Sequence, residues 1–195
     1  MVDLGFKVFH KVPDGLLDVE STELLDLLGG SALIHLEGNR KDPLFVSVML
    51  HGNEFTGLLV IQQILRQYVD RQLPRSLSIF IGNVVAAKQK LRALPGQPDY
   101  NRIWGYGDTP EHQMTHQIME SMRERNVFAA VDIHNNTGKN PHFALICRHE
   151  NIFYRLATLF GRTVVYTIKP DTTSTWAMSD ICPAATIECG LPGDK

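Results

Sequence analysis

A chain of 195 residues, 44% apolar and 21% charged, has the composition of one soluble domain large enough to bury its own core. Its net charge of −2 offers no basic field for nucleic acid or an anionic membrane surface, and no apolar run reaches the length of a membrane span. The three cysteines, Cys147, Cys182 and Cys189, form no tight CxxC pair and are odd in number, which argues against a disulfide framework or a cysteine zinc site. Reduced thiols are expected. The opening MVDLGFKVFH lacks the charged and then apolar regions of a signal peptide, so a cytoplasmic location is expected too.

In chain order, STELLDLL (21–28) has leucines at helical spacing and is closed by Gly29-Gly30, which predicts a short helix. SALIHLEG and LFVSVML read as strands, and the turn-rich GNRKDP between them predicts that the two are paired. TGLLVIQQILRQYVDRQ carries one apolar helical face, and SLSIFIGN is a further strand. Residues 84–110 are rich in Gly, Pro, Asn and Asp, with little periodicity. They predict a long loop region, and long loops in compact domains are usually functional. EHQMTHQIMESMRERN predicts a helix, VFAAVDIHNN a buried strand and HFALICR another. ENIFYRLATLFG is a helix with a glycine stop, followed by strands in RTVVYTIK and AATIECG. Strands alternating with helices predict an α/β fold with a mixed, mostly parallel central sheet flanked by helices, as a single domain over 1–195.

Ligands of such sheets bind beyond the carboxyl ends of the strands, and three strand ends here carry ionisable residues. His51 and Glu54 share one turn after VSVML. Asp132 and His134 close the VDIH strand, and Glu188 closes ATIE. A catalytic zinc takes three N/O ligands and keeps one position open. His51, Glu54 and His134 meet that need, and a His/Glu/His set suits zinc better than the all-oxygen shells of magnesium or calcium. One Zn2+ ion is therefore expected. Glu188 is the candidate general base, and Asp132 is placed to orient the His134 imidazole. The long loop contributes Asn101 and two arginines, Arg92 and Arg102, whose guanidinium groups can fork onto a carboxylate or stabilise an oxyanion. The expected substrate carries a carboxylate next to a hydrolysable amide. The expected partner is thus a small acyl amino acid or short peptide, with no nucleic acid or membrane and with homo-oligomerisation open.

The motifs HGNE (51–54), DYNR (99–102), DIHNN (132–136) and TIECG (186–190) occur in the order of the zinc carboxypeptidase superfamily. The chain resembles most its succinylglutamate desuccinylase/aspartoacylase branch, from about Val46 to Gly190. The resemblance implies zinc on His51, Glu54 and His134, and Glu188 as base and then acid. It also implies Asn101 and Arg102 on the substrate carboxylate and Arg92 on the scissile carbonyl. Tyr166 stands upstream of Glu188 at a separation comparable to that of the mobile substrate-binding tyrosine of carboxypeptidases. Two features depart from the branch. Desuccinylases tend to place an arginine soon after the third ligand, where HNNTGKNPHF offers only Lys139. Members also usually continue into a second, β-rich domain, whereas this sequence ends at Lys195, giving a minimal or truncated catalytic domain. The implied activity is deacylation of an N-acyl amino acid. Peptide cleavage by a carboxypeptidase or amidase is the alternative, and a non-catalytic metal- or ligand-binding module is a second one.

Other readings compete at single positions. Glu54 in a first helical turn favours the helix dipole without any metal, Glu188 can serve as a buried ion-pair partner, and Arg92 in KQKLRAL can belong to a solvated basic stretch. His112 and His116 stand i, i+4 on a helix with Glu120 one turn on, a spacing that can bind metal, but the glutamate of HExxH is missing. His142 is either a substrate contact or a structural loop residue, and Trp176 either lines a specificity pocket or plugs a loop. Cys189, alternating with Glu188, is expected to pack on the opposite face.

Overall fold

The computed structural model describes residues 6–136, 138 and 140–193. In chain order the strands are β1 (Lys7–Phe9), β2 (Ala32–Leu36), β3 (Gly38–Val48), β4 (Leu73–Ile81), β5 (Ala129–His134), β6 (Phe143–Ile146), β7 (Val164–Tyr166) and β8 (Ala184–Glu188). The helices are α1 (Leu24–Leu28, entered through a 3-10 turn at Ser21–Glu23), α2 (Thr56–Arg66), α3 (Val84–Lys88), α4 (Pro110–Glu124), α5 (Asn151–Thr158) and α6 (Ser174–Met178). The strands form one sheet in the order β1-β2-β4-β3-β5-β8-β6-β7. Only the β2/β4 and β6/β8 pairs run antiparallel, so the sheet is mixed and mostly parallel.

Alternation along each strand divides the core into two layers. Val46 and Val48 of β3 and Ile79 and Ile81 of β4 pack with Leu58, Ile61 and Leu65 of α2 and with α1. Their chain neighbours Phe45 and Phe80 face the other way, onto Trp104 and onto Ile118 and Met122 of α4. Phe153 of α5 and Ala177 and Met178 of α6 join that second layer. Helices thus cover both faces of the sheet, as long parallel strands require.

The expected β2/β3 pairing does not occur, because β4 lies between the two strands. GNRKDP is the first half of β3 rather than a turn. Gly38 and Arg40 pair with Leu73 and Arg75, and an irregularity between Arg40 and Leu44 absorbs Pro43. Arg75 holds that bulge by donating to the Asp42 carbonyl at 2.7 Å and pairing with its carboxylate. The predicted loop over 84–110 begins with α3, whose first turn is capped by the Asn83 side chain accepting the Ala86 N–H at 3.1 Å. At the sequence level α3, α6 and β1 were not recognised, since three to five residues carry too little periodicity. Among the described residues no helix is long and apolar enough to cross a membrane, and the three cysteines are free.

One titratable group is built into the sheet itself. His35 on β2 is buried, with Nδ1 2.9 Å from Ser78 Oγ on β4 and its ring against that of His10. Burial, with Arg125 and His10 nearby, lowers its pKa from 6.5 to about 4. Between those values the unfolded chain holds a proton that the folded chain refuses. The contribution is therefore full above pH 6.5 and is lost as pH falls through about 4. Urea unfolding across this window should show wild type losing about 3 kcal/mol more than His35→Gln, and parallel losses would refute the assignment.

Candidate active site

The sequence VMLHGNE departs from β3 by a sharp change of direction. Met49, fully buried, takes φ 58, a left-handed conformation uncommon outside glycine. Its carbonyl accepts the Asn83 N–H at 2.7 Å, and the Val48 carbonyl accepts that of Gly82. The following turn lies flat on α3. Gly52 donates its N–H to the Arg92 carbonyl at 3.0 Å, and a Cβ on Gly52 would run into backbone atoms of Ala86, Ala87 and Leu91. Only glycine allows that approach, and it fixes where His51 and Glu54 point.

Both side chains meet His134 at the end of β5. His51 Nδ1 lies 2.8 Å from Glu54 Oε1, and His134 Nδ1 lies 2.7 Å from Glu54 Oε2. All three residues are buried, and the two rings are 4.9 Å apart. The far nitrogen of each ring is held by a second carboxylate. His51 Nε2 is 3.0 Å from Asp99 Oδ1, and His134 Nε2 is 2.9 Å from Asp132 Oδ2. These carboxylates hold each Nε2 outward and turn both Nδ1 atoms inward, where His134 Nδ1 hydrogen-bonds Glu54 Oε2. His51 Nδ1 makes no hydrogen bond among the described residues despite its closeness to Glu54. Two inward ring nitrogens beside a carboxylate are an arrangement that a cation would complete. Among the described residues, His51, Glu54 and His134 are the one group of His, Cys, Asp or Glu whose ligand atoms lie within 4.8 Å of one another. A nitrogen, nitrogen, oxygen donor set of this kind fits zinc.

The electrostatics follow from the same contacts. Burial pushes the Glu54 carboxyl up, but the hydrogen bond with His134 and the closeness of the His51 imidazole outweigh it and leave its pKa at about 2. For His134, burial is outweighed by the charges and hydrogen bonds of Asp132 and Glu54, which hold it well above the usual imidazole value. Asp99 is likewise desolvated, yet His51, the Asn101 backbone N–H and Arg92 draw it far below the usual aspartate range. Glu188 behaves oppositely. Burial raises its pKa, His134 opposes the rise, and Glu54 and Asp132 add to it. Its Oε2 is buried without a hydrogen bond among the described residues.

A cleft of about 350 Å3 brings together His51, Glu54, His134, Glu188, Arg92, Asn101 and Arg102. Arg92 is braced, donating to Glu54 Oε1 at 3.2 Å and to Asp99 Oδ2 at 3.0 Å. Asn101 is engaged as well, its Oδ1 accepting the Ser174 N–H at 3.0 Å and its Nδ2 lying 3.2 Å from His134 Nε2. Arg102 makes no ion pair among the described residues and donates only to the Asn101 carbonyl, at 2.6 Å. The opposite wall is formed by Leu145, Cys147, Thr167, Thr175 and Thr186, with Lys169 at its edge.

Tyr166 does not line the cleft. Leu145 faces the cleft, and its register partner is Val165. Tyr166, the next residue, therefore points to the other face, where it meets the ring of His149 and is half exposed. Trp176 lies under Arg148, 5.1 Å from its ring, and His142 stacks on Phe160. His112 and His116 are tied to Thr109 Oγ1 and to the Gly105 carbonyl, and among the described residues they form no metal cluster. Cys189 packs with the α2 layer of the core. Lys139 lies outside the described residues. Asp99 was missed at the sequence level, although it opens the DYNR motif. Its spacing from Asn101 was the available signal.

Similar solved structures share this fold. The succinylglutamate desuccinylase of Chromobacterium violaceum superposes with a TM-score of 0.68 at 22% identity, over 84% of this chain and 58% of its own. The product-bound ectoine utilization protein of Ruegeria pomeroyi gives 0.67 at 16%, over 84% and 54%. A Pseudomonas aeruginosa metallo-carboxypeptidase in complex with (2-guanidinoethylmercapto)succinic acid gives 0.59 at 16%, over 81% and 51%. The chain thus has a metallo-carboxypeptidase-like fold and spans little more than half the length of these relatives. It belongs to the succinylglutamate desuccinylase/aspartoacylase family of hydrolases, whose catalytic domain matches residues 42–191. A search of curated proteins gave no significant match.

The closeness of Gly52 to α3 gives a direct test. Gly52→Ala should displace the His51–Glu54 turn and cost about 2–4 kcal/mol by chemical denaturation. A cost below about 0.5 kcal/mol would mean that the turn is free to move.

Proposed function

We propose that this chain is the catalytic domain of a zinc-dependent hydrolase that cleaves an amide in a carboxylate-bearing substrate, most simply an N-acyl amino acid. The observation that carries this reading is the convergence of His51 Nδ1, His134 Nδ1 and the Glu54 carboxylate in the cleft that also holds Glu188. Zinc on His51, Glu54 and His134 would supply an activated water of pKa near 7 and polarise the scissile carbonyl.

The remaining roles belong to the side chains around it. Glu188 takes a proton at its carboxylate and returns it to the departing amine. Burial favours the protonated form needed for that second half. Arg102, without a carboxylate partner among the described residues, anchors the substrate carboxylate by a bidentate fork. Asn101 shares that end of the cleft with one remaining amide N–H. Arg92, fixed by Glu54 and Asp99, still has N–H donors for a developing oxyanion. The whole described chain, under this reading, acts as one catalytic domain on a small-molecule substrate.

The experiment is amine release from a panel of N-acyl amino acids and short peptides by the zinc-loaded protein, with Glu188→Gln alongside. The expected result is release from acyl amino acids, reduced at least about 100-fold in the variant, with zinc stoichiometry unchanged. Release from peptides alone would move the activity to carboxypeptidase chemistry. Equal turnover by Glu188→Gln would remove Glu188 from the mechanism.

A further inference from the structure

β3 reads Phe45-Val46-Ser47-Val48-Met49, and Ser47 is the one polar residue in that apolar run. It is fully buried. Alternation places it on the face of Phe45, where another apolar side chain would extend the core. A buried hydroxyl is costly unless it is hydrogen-bonded, and this one is. Register sets Ser47 directly beside Asp132 on β5, and Ser47 Oγ donates to Asp132 Oδ1 at 2.7 Å. Ser174 Oγ, at the start of α6 and also buried, lies 3.3 Å from Ser47 Oγ on the other side.

Asp132 is itself buried, and no lysine or arginine among the described residues pairs with it. Its charge is carried by two contacts: Ser47 on Oδ1 and His134 Nε2 on Oδ2. Ser174 extends the chain, since its backbone N–H donates to Asn101 Oδ1, which places the Asn101 amide beside the His134 ring. The result is a buried hydrogen-bonded chain, His134–Asp132–Ser47–Ser174–Asn101, which joins β3, β5, α6 and the 99–102 loop. Polar networks of this kind fix orientation when every member is satisfied.

We infer that Ser47, supported by Ser174, is a positioning residue for the metal site. It holds the Asp132 carboxylate so that this group fixes the His134 ring with Nδ1 facing Glu54. Without the Ser47 hydroxyl, Oδ1 loses its side-chain donor. Asp132 then becomes a weaker acceptor that is free to rotate, and His134 is less well aimed. This inference rests on the zinc reading above and goes beyond it, because neither serine touches metal or substrate.

The test is a zinc-affinity cycle, read by competition with a chromophoric chelator on the full chain: wild type, Ser47→Ala, Asp132→Asn and the double variant. Partners one shell beyond a metal ligand are worth about 10–100-fold in affinity. Asp132→Asn should fall in that range and Ser47→Ala near its lower end, about tenfold. Acting through Asp132, the serine should cost little more once Asp132→Asn is present. Unchanged affinity in Ser47→Ala, or the same loss repeated in full on the Asp132→Asn background, would overturn the inference and leave the zinc reading intact. Wild type without stoichiometric zinc would overturn both. Ser174→Ala guards against a folding defect in Ser47→Ala, because α6 keeps its Thr173 cap and its bond to Asn101. A loss of a few-fold is expected there, and if Ser47→Ala does not fold, no change in Ser174→Ala overturns the proposal.

Discussion

The arrangement at this cleft depends on two imidazole–carboxylate contacts. Asp99 takes the outer nitrogen of His51 and Asp132 that of His134. Each fixes the orientation of a ring, and together they aim two Nδ1 atoms at one carboxylate, Glu54. Removal of either acid would leave a ring free to turn. The inner nitrogens would then find other partners, and the three donors would no longer define a point.

The sheet makes the contacts possible through register. In the parallel trio β3, β5 and β8, Ser47 stands beside Asp132 and Asp132 beside Thr186, while one pleat further His134 stands beside Glu188. Side chains two apart share a face, so His134, Asp132 and Glu188 all fall on the α6 side of the sheet. His51 and Glu54 come from beyond the end of β3, where the left-handed Met49 and the close approach of Gly52 to α3 turn the chain across the top. A shift of one residue in β5 would send Asp132 and His134 into the α2 layer, among Val48 and Ile61.

Much of this was legible in the sequence because ionisable residues at the ends of apolar strands are conspicuous. His51, Glu54, Asp132, His134 and Glu188 stand out in that way, and the structure gathers them in one place. What stayed hidden was long-range. The insertion of β4 between β2 and β3 depends on pairing across 30 or more residues, while local turn residues in GNRKDP pointed to a hairpin. Tyr166 was placed by its distance from Glu188 along the chain, which says nothing about which face of β7 it occupies. Asp99 looked like an ordinary loop acid until the loop folded back onto His51. Ser47 reads as a harmless small residue in a strand, and only its neighbour across the sheet gives it meaning.

The charge balance of the cleft is what ties fold and chemistry together. Four carboxyl groups, Glu54, Asp99, Asp132 and Glu188, are gathered around two histidines, and the guanidinium of Arg92 pairs with only two of them. Buried charges need partners. Here the acids answer by dividing. Glu54 and Asp99 stay ionised by drawing on His51, His134 and Arg92, and His134 is held toward its charged form. Glu188, last in line for positive charge, is driven toward protonation. A dication between the inner nitrogens would take over the role that a proton on His134 otherwise plays and would draw Glu188 back toward ionisation. The occupancy of the His51–Glu54–His134 cluster and the protonation of Glu188 are therefore one electrostatic problem, set by the same few side chains.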